Sequence, residues 1–126
     1  MDKVVHFEIP VDNLDRAKKF YQSLFGWQLT DVPGMNYTMV TTVPTNGGHI
    51  PKEPGAINGG IMKRMAKDET PIVVINVASI DDYLKKIERS GGKTVIPKQQ
   101  VGDMGLYARI SDTEGNIIGL WQDLKK

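Results

Sequence analysis

The spacing of apolar residues changes period early in the chain. In the stretch from Val4 to Leu14, Phe7, Ile9 and Val11 alternate with His6 and Glu8, the period of a strand with one face against a core. From Leu14 the period becomes helical, and Leu14, Ala17, Tyr21 and Leu24 make one apolar stripe. Asn13 or Asp12 is the predicted cap, Asp15 sits near the positive end, and Gly26 stands where a left-handed residue ends a helix. Trp27 to Val32 and Asn36 to Val43 read as strands around a Pro33-Gly34 turn. Pro44 to Ala56 is rich in Pro, Gly, Thr and Asn, which predicts a long mobile loop. Ile57 to Lys63 reads as a fourth strand with two glycines inside it, and Arg64 to Thr70 as a polar connector.

The pattern then restarts. Pro71 to Val77 is an apolar strand, Ser79 with Asp82 resembles a capping box, and Ile80, Tyr83, Leu84 and Ile87 repeat the helical stripe up to Gly91-Gly92. Lys93 to Val101, Met104 to Ser111 and Asn116 to Trp121 follow as strands. A constant offset superposes Ile9 on Ile75, Val11 on Val77, Leu14 on Ile80, Asp15 on Asp81 and Gly26 on Gly92. The expected fold is therefore α+β: two β-α-β-β-β modules, residues 1–66 and 67–126, within one domain.

Composition removes several function classes. The 126 residues suffice for one domain with a real core. The formal net charge is +1 with signs interleaved, so no basic stripe argues for nucleic acid. The absence of cysteine excludes disulfides, thiolate metal sites and cysteine nucleophiles. No apolar run approaches the roughly 18 residues of a membrane span, and the first residues lack a signal peptide's apolar stretch, so a cytoplasmic protein is expected. Gly47-Gly48 and Gly59-Gly60 lack the strand-to-helix setting of a phosphate loop.

The first strand with its histidine and Val11-Asp12-Asn13-Leu14, Phe20-Tyr21, Leu24-Phe25-Gly26-Trp27, and the ending Glu114-Gly115-Asn116-Ile117-Ile118-Gly119-Leu120-Trp121 together resemble the vicinal oxygen chelate superfamily. That group holds glyoxalase I, the bleomycin-resistance proteins and the extradiol dioxygenases. The resemblance implies two modules curling a cup-shaped sheet around a ligand, commonly in a homodimer.

In metal-dependent members, four positions face into the cup, on the first, fourth, fifth and eighth strands. Here His6 matches the first, Ile72 the fifth and Gly119 the eighth, and the fourth falls within Asn58–Met62. One ligand of four is retained, whereas a divalent metal needs three or more convergent donors. No cofactor is expected, and a divalent metal is disfavoured. Other donors in reach of the chain are Glu8, His49 in the long loop and Asp103 near the seventh strand. His6 and Glu8 are the candidate catalytic pair, able to move a proton with or without a metal. Glu8 is expected partly solvated at the pocket rim, or paired with His6 if it lies deep.

The remaining expected lining is Met62, Ile72, Val74, Asn76, Tyr107, Ile117, Gly119 and Trp121, with His6, Glu8 and Asn76 as polar handles. The glycine at 119 opens space where a flat ring could lie against Trp121, unless Trp121 fills it. Arg109, on the face of Tyr107, reads as an exposed sheet charge or an anion contact. The expected partner is a small, partly apolar organic ligand, bound without metal. The alternatives are a lyase of the lactoylglutathione-lyase type, or a related isomerase or dioxygenase, and a scaffold or regulatory subunit whose cup is vestigial.

Overall fold

The computed structural model describes residues 1–46 and 50–124. Its elements are β1 (Lys3–Val11), α1 (Leu14–Phe25), β2 (Gln28–Val32), β3 (Tyr37–Thr41), β4 (Asn58–Lys63), β5 (Ile72–Asn76), α2 (Ile80–Arg89), β6 (Lys93–Val101), β7 (Gly105–Ser111) and β8 (Ile117–Asp123). The chain divides into two compact units, His6–Pro71 and Met1–Val5 with the chain from Ile72 onward, so the boundary falls inside β1. Among the described residues, no helix is long and apolar enough to cross a membrane.

In the first module β2 pairs antiparallel with β3, β3 antiparallel with β4, and β4 parallel with β1. In the second, β6 pairs antiparallel with β7, β7 antiparallel with β8, and β8 parallel with β5. The strand order is the same, so the internal repeat read from the apolar registers is a repeat of topology. Glu8 pairs with Gly60 and Val74 pairs with Gly119, which makes these two pairs equivalent.

Both helices begin as their sequences predict. Asn13 caps α1 by accepting from the Arg16 N–H at 2.9 Å, and Ser79 caps α2 by accepting from Asp82 at 3.2 Å. Gly26, at φ 70°, lets α1 end in a left-handed turn that a side chain would strain. Gly92 has a different reason: a Cβ there would stand 2.6 Å from the Ile87 side chain and 2.7 Å from the Ser111 carbonyl.

The two helices cover their sheets unequally. Val77, Ile80, Ala108, Ile110 and Leu120 form a buried cluster under α2, with Ile75, Tyr83, Leu84, Ile87, Leu106 and Ile118 packed against it. No residue of α1 is fully buried. Leu24, expected on the inner stripe, is exposed, as are Phe20 and Phe25. The helix is held by rings instead: Tyr21 stacks on Trp27 with centroids 5.0 Å apart, and Trp27 meets Phe7 of β1 at 5.8 Å.

Candidate functional site

Phe7 points toward the α1 side of its sheet, so alternation turns His6 and Glu8 to the helix-free face. The register extends that face. His6 pairs with Asn58, Glu8 and Met39 with Gly60, and Tyr37 with Met62. These residues make the helix-free face of the first module.

The hydrogen-bond partner of His6 is Tyr37, whose Oη lies 2.8 Å from Nε2. Sequence reasoning missed this tyrosine, which is 31 positions away. A signal was nevertheless present: a glycine inside a strand marks close approach by another group. A Cβ built on Gly60 would stand 1.9 Å from the Tyr37 hydroxyl and 2.1 Å from Cζ. Burial lowers the His6 pKa, and the Glu8 charge opposes that shift without cancelling it. The ring is therefore neutral at neutral pH.

Glu8 is not at a solvated rim. It is 6% exposed, and its influence on His6 is that of a nearby charge, while the imidazole's hydrogen bond goes to Tyr37. Asn58 is also buried. Its Oδ1 accepts from the backbone N–H of Thr42 at 2.8 Å and of Val43 at 3.3 Å, and from the Thr42 hydroxyl at 3.2 Å. Those two N–H donors fix which way the amide is turned. Its Nδ2 then faces elsewhere, and among the described residues it has no acceptor. A buried amide donor left that way costs roughly 1–3 kcal/mol unless something satisfies it.

The second module repeats the arrangement with different chemistry. Ile75 joins the core under α2, so Ile72, Val74 and Asn76 face the other way. On the same face lie Tyr107 and Arg109 of β7 and Ile117, Gly119 and Trp121 of β8, opposite to Ala108, Ile110, Ile118 and Leu120. The second-module residues expected to share a face therefore do share one. Ile72 and Val74 are buried, while Tyr107, Ile117 and Trp121 are half-buried.

Three expectations within this module change. The space over Gly119 is closed, because a Cβ there would meet Val74 Cγ2 at 2.9 Å and Tyr107 Oη at 3.1 Å. Trp121 lies across Gly105 instead, where a Cβ would come within 2.3 Å of its ring, and its Nε1 donates to Asp123 at 3.0 Å. Arg109 is no exposed charge: it is 4% exposed, and its Nε donates to Tyr107 Oη at 2.8 Å. Asn76 donates to the Trp121 carbonyl at 3.2 Å and to Asp123 at 3.4 Å, and borders a cleft of about 310 Å³ with Gln122 and Asp123.

The donors present do not fit a divalent metal at the positions the resemblance implies. The pairing that aligns Gly60 with Gly119 puts a glycine at the fourth-strand position as well as the eighth. Ile72 supplies no donor. Asn58 has spent its oxygen on Thr42 and Val43, and what remains is an N–H group, which meets an acceptor and not a cation. Among the described residues, no three His, Cys, Asp or Glu side chains converge. Asp103 is exposed in the turn before β7, and His49 lies outside the described residues.

Known proteins agree with this architecture. Residues 3–43 match the family model "Bleomycin resistance protein-like N-terminal". The chain is 36% identical over 116 residues to a "Putative glyoxylase CFP32" of Mycobacterium bovis, and equally to its namesake in Mycobacterium tuberculosis. That match covers 84% of this chain and 40% of the relative, so the chain spans well under half the length of these curated relatives. Among solved structures, a methylmalonyl-CoA epimerase from Mycobacterium tuberculosis superposes with a TM-score of 0.65 at 16% identity, covering 97% of this chain and 88% of the other. A glyoxalase/bleomycin resistance protein/dioxygenase superfamily member from Vibrio splendidus 12B01 gives 0.65 at 11% identity, covering 98% and 100%. At such identities the structural likenesses establish a shared fold.

Proposed function

We propose that the chain is a member of the vicinal oxygen chelate superfamily that binds a small, partly apolar organic ligand on the helix-free faces of its modules, without a divalent metal; the family-model match and the glyoxylase relative support the membership. One observation carries the reading. Of the four positions that would hold a metal, His6 alone has a donor, and its Nε2 is engaged by Tyr37 at 2.8 Å. The second module's face offers apolar contact through Ile72, Val74, Ile117 and Trp121. The first offers polar groups, among them the buried Asn58 amide, which calls for an oxygen or nitrogen acceptor.

The test begins with chelator-stripped protein titrated calorimetrically with nickel, zinc, manganese and iron(II), beside His6→Ala. No binding that depends on His6 is expected. Thermal-shift screening of small aromatic and heteroaromatic compounds should then yield stabilising hits, since a ligand at 100 times its Kd adds about 2.7 kcal/mol. Tight stoichiometric metal binding lost in His6→Ala would overturn the reading.

A second reading is favoured by the depth of Glu8. A carboxylate 6% exposed, whose charge acts on the His6 imidazole, supports a proton-moving role such as an isomerase or lyase of the glyoxalase type requires. Solvent-deuterium exchange at the carbon next to a substrate carbonyl, abolished by Glu8→Gln, is the result that would favour it.

A further inference from the structure

Both modules carry the same device at equivalent strand positions. In the first, Gly60 pairs with Glu8, and Tyr37, paired with Met62 two residues on, covers the glycine. In the second, Gly119 pairs with Val74, and Tyr107, paired with Trp121 two residues on, approaches its glycine in the same way. A Cβ would stand 1.9 Å from the hydroxyl of Tyr37 and 3.1 Å from that of Tyr107. Each hydroxyl lies 2.8 Å from a side-chain nitrogen, His6 Nε2 in one module and Arg109 Nε in the other. A glycine weakens a strand interior. Two at matching positions, each approached by a tyrosine from the neighbouring strand, mark a side chain exchanged for a neighbour's ring.

We infer that Tyr37 and Tyr107 take the places of the ligand side chains missing at Gly60 and Gly119, so that each module holds a phenol hydroxyl where the resemblance places a metal ligand. A phenol is uncharged at neutral pH and both donates and accepts a hydrogen bond. In that place an uncharged phenol gives a divalent cation no anionic donor. The inference rests on the metal-free reading, and its experiment separates the two.

Gly60→Glu in a Tyr37→Ala background puts a carboxylate on the face that carries His6 and Glu8. Chelator-stripped wild type, Tyr37→Ala and the double variant are titrated with manganese(II) and nickel(II), with circular dichroism and a cooperative melt to confirm folding. The expected result is no stoichiometric binding by wild type or Tyr37→Ala. The double variant should take one ion per chain at least tenfold more tightly, and lose it on adding His6→Ala. A folded double variant with no gain overturns this inference alone, whereas His6-dependent binding by wild type overturns it together with the metal-free reading. A thermal cycle covers the case in which the carboxylate prevents folding. Gly60→Ala forces Tyr37 aside, so Gly60→Ala and Tyr37→Ala should lower the melting temperature less than additively. Additive losses overturn the inference.

Discussion

The two modules share a strand order and differ in what covers each face. Under α2 the second module builds a continuous apolar cluster around Ile80, which is 0% exposed. Under α1 the first module has no such cluster within the helix; Tyr21 and Trp27 stack, while Phe20, Leu24 and Phe25 face outward. The helix-free faces differ in the opposite sense. The first module's carries His6, Glu8 and Asn58, and the second's carries Ile72 and Val74 at the positions that align with His6 and Glu8. The second module builds the apolar cluster under its helix and buries Arg109 on the other face, while the first buries Val40 and Ile61 together with Glu8, Thr38 and Asn58.

The largest effect that would test this contrast is the loss of Ile80. Ile80→Ala removes a fully buried side chain from the centre of the α2 cluster, and large-to-small changes of this kind cost about 2–5 kcal/mol. Urea unfolding at neutral pH measures it. A cost under about 1 kcal/mol would mean that the second module's stability does not rest on this cluster.

Much of this was readable in the chain. The Asn13 and Ser79 caps, the Gly26 terminus and the bounds of β1 and β6 follow from local rules, which need only neighbouring residues. The sorting of side chains onto two faces of each strand also follows, because alternation is local. Depth is not local. Glu8 and Arg109 read as rim and surface charges because their burial depends on partners distant in sequence, and Leu24 read as core because nothing in its own helix says what lies above it. The Tyr37 bond to His6 reaches across β4, which pairs with both β3 and β1 and follows them in the chain after the long loop. The glycines of β4 were the sole local trace of it.

An intermediate effect should appear with pH and distinguish the modules by chemistry. Burial holds the His6 pKa below its ordinary value of 6.5, while Ile72, its counterpart, does not titrate. In the unfolded chain His6 protonates as pH falls through about 6.5, while in the folded chain it stays neutral to lower pH. The unfolded state then binds more protons, so stability falls as pH falls below the unfolded pKa and levels once the folded pKa is passed. Above that window the contribution is constant. Denaturant midpoints measured from pH 7.5 down to 5 should show this loss in wild type, and His6→Gln should flatten it. An unchanged slope in His6→Gln would assign the loss to other groups.

The smallest effect is expected on the outer side of α1. Leu24 is 62% exposed, and the rings that hold the helix are those of Tyr21 and Trp27. Leu24→Ala removes little buried surface and replaces one good helix former with a better one. Its cost should stay within about 0.5 kcal/mol, the usual range for a surface position. Tyr21→Ala, which breaks the stack on Trp27, should exceed it clearly, since stacked aromatic pairs contribute about 0.5–1.5 kcal/mol beyond their buried area. Parallel urea melts of the two variants decide the point. If Leu24→Ala costs as much as Tyr21→Ala, this side of α1 is covered in solution, and the unequal covering of the two modules reflects a surface that a partner completes.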